Sequence, residues 1–149
     1  MEIERKFLIT QLPGNLESYP FHTLEQAYLC TNPVVRVRRS DEQYILTYKG
    51  EGMMSREEYN LPLTADGYEH LKAKADGNII RKRRYLIPLE SDLTVELDVF
   101  EAPFQGLILA EVEFSTEEQA RAFLPPDWFG KEVTWSAEYH NSVLSQKKL

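Results

Sequence analysis

A mainly β fold of the α+β class is predicted by three features of the sequence. Apolar and polar residues alternate with period two through most of the chain, turn-forming residues cut that alternation into eight runs, and helical spacing is confined to short stretches. The predicted strands are 2–9, 24–30, 33–40, 43–49, 55–62, 79–87, 93–100 and 107–114. The first run, EIERKFL, puts Glu2, Glu4 and Lys6 on one face and Ile3, Arg5 and Phe7 on the other, because strand side chains alternate sides. The next two runs are divided by Asn32-Pro33, and VVRVRR sets Arg36 and Arg38 against Val35 and Val37. SDEQ at 40–43 turns the chain into the fourth run, with Thr47 and Lys49 on one face, and GEGM at 50–53 leads to the fifth, which carries Arg56 and Glu58.

TADGYEHLKAKADG then reads as a helix, with Thr64 as N-cap, Tyr68, Leu71 and Ala75 on one stripe and Gly77 as its stop. The sixth run offers Lys82 and Arg84, and the seventh sets Glu96 and Asp98 against Val95, Leu97 and Val99. After APFQG the eighth sets Glu111 and Glu113 against Ala110, Val112 and Phe114. A second helix begins at STEEQARAFL, where Ser115 and Glu118 have capping-box spacing and Pro125-Pro126 ends it. A third, short helix falls within 137–146.

Composition narrows the function. At 149 residues, 42% apolar and 28% charged, the chain fits one soluble domain over 1–149 with a core of its own. No apolar run is long enough to span a bilayer, and the charged residues that follow Met1 are not succeeded by the apolar stretch of a signal peptide. The expected location is the cytoplasm, in agreement with a single cysteine, Cys30, that has no internal partner. His22, His70 and His140 lack zinc-ligand spacing, so a metal here would be held by oxygen, and the histidines are expected as packing or surface residues. Trp128 and Trp135 are expected as core or helix-docking anchors. A net charge of −7 speaks against nucleic-acid or membrane partners. Basic residues nevertheless cluster in VVRVRR and RKRR, so a local anion site fits inside an acidic molecule.

Nearly every predicted strand has one charged and one apolar face. Periodicity alone allows the charges to point outward or to line a lumen. Exposed faces ordinarily mix Ser, Thr, Gln and Asn among their charges, whereas here six acids (Glu2, Glu4, Glu96, Asp98, Glu111, Glu113) and six bases (Lys6, Arg36, Arg38, Lys49, Lys82, Arg84) are largely sorted by strand. Enclosing such a set is costly unless its members satisfy one another or bind ions. Carboxylates suit a hard divalent cation, and Arg and Lys suit phosphate oxygens. The constellation reads as a polyphosphate site.

EIERKF, RVR, TYKG, SREEY, KRRY, ELD, EVEF and the closing EVT and YHNSVL together resemble the triphosphate tunnel metalloenzymes, the CYTH superfamily, and in particular its small bacterial inorganic tripolyphosphatases. The resemblance runs from Glu2 to Leu144. It implies a closed eight-stranded antiparallel β-barrel with a charged lumen, helices packed outside, and a linear triphosphate bound with one or two Mg²⁺ or Mn²⁺ ions. Carried over by position, it implies that Glu2, Glu4 and Glu113 hold one metal, and that Glu111, with Glu96 and Asp98, holds or orients a second and the attacking water. Lys6, Arg36, Arg38, Lys49, Lys82 and Arg84 would grip the phosphates, with Arg56 and Glu58 also at family positions. Tyr28, in QAYL, would accept a proton, and Tyr28, Glu111 and Lys82 form the expected catalytic set. Ser136 and Glu138 stand where the family often has an acid and an arginine.

The implied activity is metal-dependent hydrolysis of the terminal phosphoanhydride of tripolyphosphate by a monomer or homodimer. A class IV-type adenylate cyclase, a nucleoside or thiamine triphosphatase, and a non-catalytic polyphosphate-binding module are the alternatives.

Overall fold

The computed structural model covers residues 1–149 and contains nine strands, all paired antiparallel, and three short helices. In chain order these are β1 (Glu2–Leu8), β2 (Phe21–Thr31), β3 (Val34–Ser40), β4 (Gln43–Lys49), β5 (Ser55–Arg56), β6 (Glu58–Pro62), α1 (Ala65–Lys72), β7 (Asp76–Pro88), β8 (Thr94–Phe100), β9 (Ile108–Glu113), α2 (Glu117–Ala122) and α3 (Asn141–Ser145). The sheet order is β5-β1-β9-β8-β7-β2-β3-β4-β6.

The two ends of that order are consecutive in the chain. The run expected as one strand over 55–62 breaks at Glu57: β5 pairs with β1, and β6 pairs with β4. A sheet closing on itself needs one strand to change partners, and the break at Glu57 makes that change, so the barrel is nearly closed. Below β5, the free edge of β1 is covered by residues 130–134: Leu8 N donates to Lys131 O at 2.8 Å and Val133 N to Lys6 O at 2.8 Å.

The apolar faces lie outside the lumen, under cover. Ile3, Phe7, Val95, Leu97, Ala110 and Val112 pack beneath α2 and the Phe123, Trp128 and Phe129 rings, and Ala27 and Val37 pack beneath Tyr68 of α1. A third cluster, including Ile80, Phe100, Leu109 and Leu144, closes one end of the barrel, with α3 laid against β7 and β2. Fully burying each such side chain is worth about 1.5–3 kcal/mol. The helices thus supply the apolar partner that the outward faces require.

Local details differ from expectation. Thr64 caps α1 by accepting from Gly67 N at 2.9 Å, but the helix ends at Lys72, and Gly77 lies in β7 instead of stopping it. The N-cap of α2 is Thr116, one residue past the expected Ser115. Thr116 Oγ1 accepts from Gln119 N at 3.0 Å while the Gln119 side chain accepts from Ser115 N at 2.9 Å; the reciprocal pair forms with the register moved by one. Of the third expected helix, Ala137–Tyr139 is a 3-10 turn and the α-helical part is α3. Trp135 is 64% exposed, in a turn that no element covers, whereas Trp128 packs against the outer core. No helix is long and apolar enough to cross a membrane.

Candidate active site

The lumen holds a cavity of about 190 Å³ with a predominantly charged wall. β1 sends in Glu2, Glu4 and Lys6, β3 sends Arg36 and Arg38, and β4 sends Lys49. Arg56 and Glu58 come from β5 and β6, Arg84 from β7, Glu96 from β8, and Glu111 and Glu113 from β9. Tyr28, only 2% exposed, reaches the wall from β2. Strand alternation delivers the sets Glu2/Glu4/Lys6, Arg36/Arg38 and Glu111/Glu113, whose intervening neighbours Ile3, Val37 and Val112 belong to the outer core.

Most of the charges are already neutralised in pairs. Lys49 Nζ stands 2.9 Å from Glu2 and 3.4 Å from Glu58, and Arg56 Nε is 3.6 Å from Glu2. Lys6 and Arg84 approach Glu111 at 3.6 and 3.7 Å, and Arg84 also meets Glu96 at 3.1 Å and Asp98 at 2.7 Å. Burial pushes the Glu111 carboxyl up, but Lys6 and Arg84 outweigh it and hold it well below the usual carboxylate range.

Four wall residues have no such partner. No cation approaches Glu4 or Glu113 within 4.0 Å, and no carboxylate approaches Arg36 or Arg38. Glu4 and Glu113 are directly opposite in the β1·β9 ladder, an arrangement of like charges that is destabilising unless a cation joins it. Burial, together with Glu111 and Glu2, pushes the Glu4 carboxyl up to about 8, and burial beside Glu2 and Glu96 raises Glu113. Round the ring, β3 is reached from β9 through β8, β7 and β2, and from β1 through β5, β6 and β4. The uncompensated guanidiniums therefore face the uncompensated carboxylates across the lumen.

These acids fit a divalent cation. The donors are all oxygen, and the unpaired ones sit where positive charge is lacking. The protein alone does not assemble three His, Cys, Asp or Glu side chains into a ready-made metal centre, because Glu2, Glu96 and Glu111 are engaged by lysine and arginine.

Lys82 and Asp98 lie behind the wall. Both are 0% exposed and meet at 2.7 Å, and neither lines the cavity. Burial pushes the Lys82 ammonium down to about 8 against the attraction of Asp98. Asp98 is raised by burial but held below the usual range by Arg84 and Lys82. One carboxylate shared between two cations is well compensated; Lys82, with a share of one, is not.

Asn60, His140, Asn141 and Ser142 also line the cavity, beyond the residues the sequence points to. His140 is neither a surface nor a core histidine: it borders the lumen, where burial beside Lys6 and Arg56 pushes its imidazole down to about 4 and so keeps it neutral. Lys6 Nζ donates to Tyr139 O at 3.3 Å and Lys82 Nζ to Asn141 Oδ1 at 3.4 Å, which ties the start of α3 to one lysine in the lumen and one behind its wall. The available signal was YHNSVL, recognisable as a motif but without periodicity to aim its side chains.

The chain matches the model of the CYTH domain over residues 1–146. It is 40% identical over 148 residues to the inorganic triphosphatase of Nitrosomonas europaea, spanning 97% of this chain and 96% of that one. It is 32% identical over 146 residues to the inorganic triphosphatase of Acetivibrio thermocellus, spanning 96% and 92%. The crystal structure of the inorganic triphosphatase NE1496 superposes with a TM-score of 0.74 at 36% identity, over 99% of this chain and 96% of that one.

Proposed function

The chain belongs to the CYTH domain family, and we propose that it is a metal-dependent inorganic triphosphatase that hydrolyses the terminal phosphoanhydride of a linear triphosphate inside the barrel. The observation that carries this reading is the unneutralised residue of the lumen: Glu4 and Glu113 on one side, Arg36 and Arg38 on the other. An anion carrying its own divalent cation answers both demands at once. The two triphosphatase relatives, similar over nearly their whole length, support the same substrate class.

In this mechanism Arg36 and Arg38 take phosphate oxygens on the β3 side, with Lys6, Lys49, Arg56 and Arg84 exchanging part of their carboxylate contact for phosphate. Glu2, Glu4 and Glu113 would hold one divalent cation, Mg²⁺ or Mn²⁺, and Glu111 with Glu96 would hold a second or orient the attacking water. When bound, such a cation supplies Lewis acidity toward phosphoryl oxygens and toward water. Lys82 and Asp98 act from behind the wall by fixing Arg84 and Asn141. Tyr28 stands at the lumen wall, where its phenolate form would take the proton given up by the attacking water. Positioning and charge stabilisation carry most of such a reaction, and a rigid barrel provides both. A cytoplasmic location accords with an exposed, unpaired Cys30.

Glu4→Gln and Glu113→Gln are expected to lower metal-dependent phosphate release from tripolyphosphate by at least about a hundredfold. Wild-type turnover in both variants would remove the assignment. A panel of tripolyphosphate, pyrophosphate, ATP and thiamine triphosphate with Mg²⁺ or Mn²⁺, with products identified, should show tripolyphosphate turned over fastest; cyclic AMP from ATP would mark a cyclase instead.

A further inference from the structure

Arg38 is held in the lumen without a counter-charge, and a neutral side chain holds it. Its Nε donates to Gln26 Oε1 at 2.7 Å. Gln26 stands on β2 directly opposite Arg38 in the β2·β3 ladder, and it is 0% exposed. It does not line the cavity, whereas Arg38 does. The Gln26 Nε2 group is buried with no hydrogen-bond partner, which is a rare and costly condition for an amide. The register of β2 shifts just past this position, against β7 between Gln26 and Tyr28 and against β3 between Tyr28 and Cys30.

The chemistry of the pair is specific. A guanidinium has five N–H donors in a fixed plane. With Nε–H committed to Gln26, the four terminal N–H groups remain for oxygens in the cavity, in the geometry that suits bidentate phosphate contact. Every other lumen base except Arg36 is secured by a carboxylate, which also cancels its charge. Burial beside Arg36 and Arg84 pushes the Arg38 guanidinium down to about 9, still charged at neutral pH. An amide carbonyl fixes the orientation of that group and leaves its charge for the ligand.

We propose that Gln26 is the positioning residue for Arg38: an uncharged clamp that aims the terminal edge of the guanidinium at the bound phosphate chain. This rests on the lumen being the triphosphate site. It makes no claim that Gln26 touches substrate.

The test is a double-mutant cycle of Gln26→Met and Arg38→Ala, read as the binding of inorganic tripolyphosphate by calorimetry without divalent cation, and as KM and kcat with Mg²⁺. Gln26→Met keeps the side-chain length and removes the acceptor. It should weaken tripolyphosphate binding and raise KM about tenfold, the scale of one hydrogen bond to a charged group, with a smaller change in kcat. In the Arg38→Ala background the same change should cost no more than about twofold, because its effect passes through Arg38. Equal losses in both backgrounds would overturn the proposal and leave Gln26 a packing residue.

Gln26→Glu is the second variant. Its carboxylate keeps the bond to Nε but cancels the charge, so binding should again weaken about tenfold while the melting temperature holds; binding as tight as wild type would overturn the requirement for neutrality. Failure of the wild-type protein both to bind tripolyphosphate and to hydrolyse it with Mg²⁺ would instead remove the site itself, an outcome distinct from a failed cycle.

Discussion

Arg5 shows how one side chain joins three parts of the chain. Strand alternation puts it on the outer face with Ile3 and Phe7, an apolar surface where an isolated charge would be costly. Its guanidinium makes a two-pronged contact with Glu132, Nε to Oε2 at 2.8 Å and Nη2 to Oε1 at 2.7 Å, while Nη1 donates to Ala120 O and Phe123 O, each at 2.9 Å, at the C-terminal end of α2. The group also lies 5.3 and 5.7 Å from the Phe7 and Phe123 ring centres. The hydrogen bond from Arg5 is the main reason the Glu132 carboxyl sits below its ordinary value of 4.5, helped by Thr134 and opposed by burial. A lowered acid stabilises the fold above its unfolded value and loses that contribution as pH falls through the folded one. Glu132→Gln is therefore expected to cost about 1–2 kcal/mol at pH 7, discounted for partial exposure. Urea denaturation should show the gap closing below about pH 4; a gap independent of pH would assign the loss to packing.

At the scale of elements, β7 and α3 are joined at Gly77. Its φ is +76°, and a Cβ added there would stand 2.1 Å from Ser145 O, so only glycine admits this close approach. The neighbouring Asn78 Nδ2 donates to Leu144 O at 3.2 Å and Lys147 O at 2.7 Å. Together they seat α3, and with it His140, Asn141 and Ser142 at the lumen. Gly77→Ala should destabilise the protein by about 1–3 kcal/mol and raise KM for tripolyphosphate as the end of the lumen is displaced. A variant with wild-type melting temperature and KM would show that α3 is seated by other contacts. The Lys82–Asp98 pair is an element-level device too, binding β7 to β8 within the wall instead of presenting charge to the cavity.

For the whole molecule the decisive feature is closure. The ring is completed where β5 meets β1, Glu2 opposite Arg56, so two lumen residues owe their places to a two-residue strand. The turn before it depends on Gly52, whose φ of +129° and whose Cβ position 2.1 Å from Ser55 O exclude any other residue without rearrangement. Gly52→Ala is expected to loosen β5, lower turnover about tenfold, and speed hydrogen exchange at the Glu4 amide, which donates to Met54 O at 3.0 Å. Unchanged exchange at that amide would mean that closure does not depend on this turn.

The sequence by itself determined where most strands run and which residues share a face, because a pleated strand has a period of two and Glu2/Glu4/Lys6, Arg36/Arg38 and Glu96/Asp98 obey it. The acids and bases of the site were legible in the same pattern, and family resemblance supplied the barrel. Periodicity cannot tell an inside from an outside, since turning every strand over leaves the alternation unchanged. The tertiary structure decided what depends on contacts between strands: that Glu57 divides one run into two closing edges, and that Lys82 meets Asp98 behind the wall, where Asp98 is shared with Arg84. It also decided that His140 and Asn141 border the lumen, and that Glu4, Glu113, Arg36 and Arg38 are the charges left without partners. Pairing of charges follows from register, closure and burial, which bring together residues as far apart in the chain as Glu4 and Glu113, and no local pattern encodes such a distance.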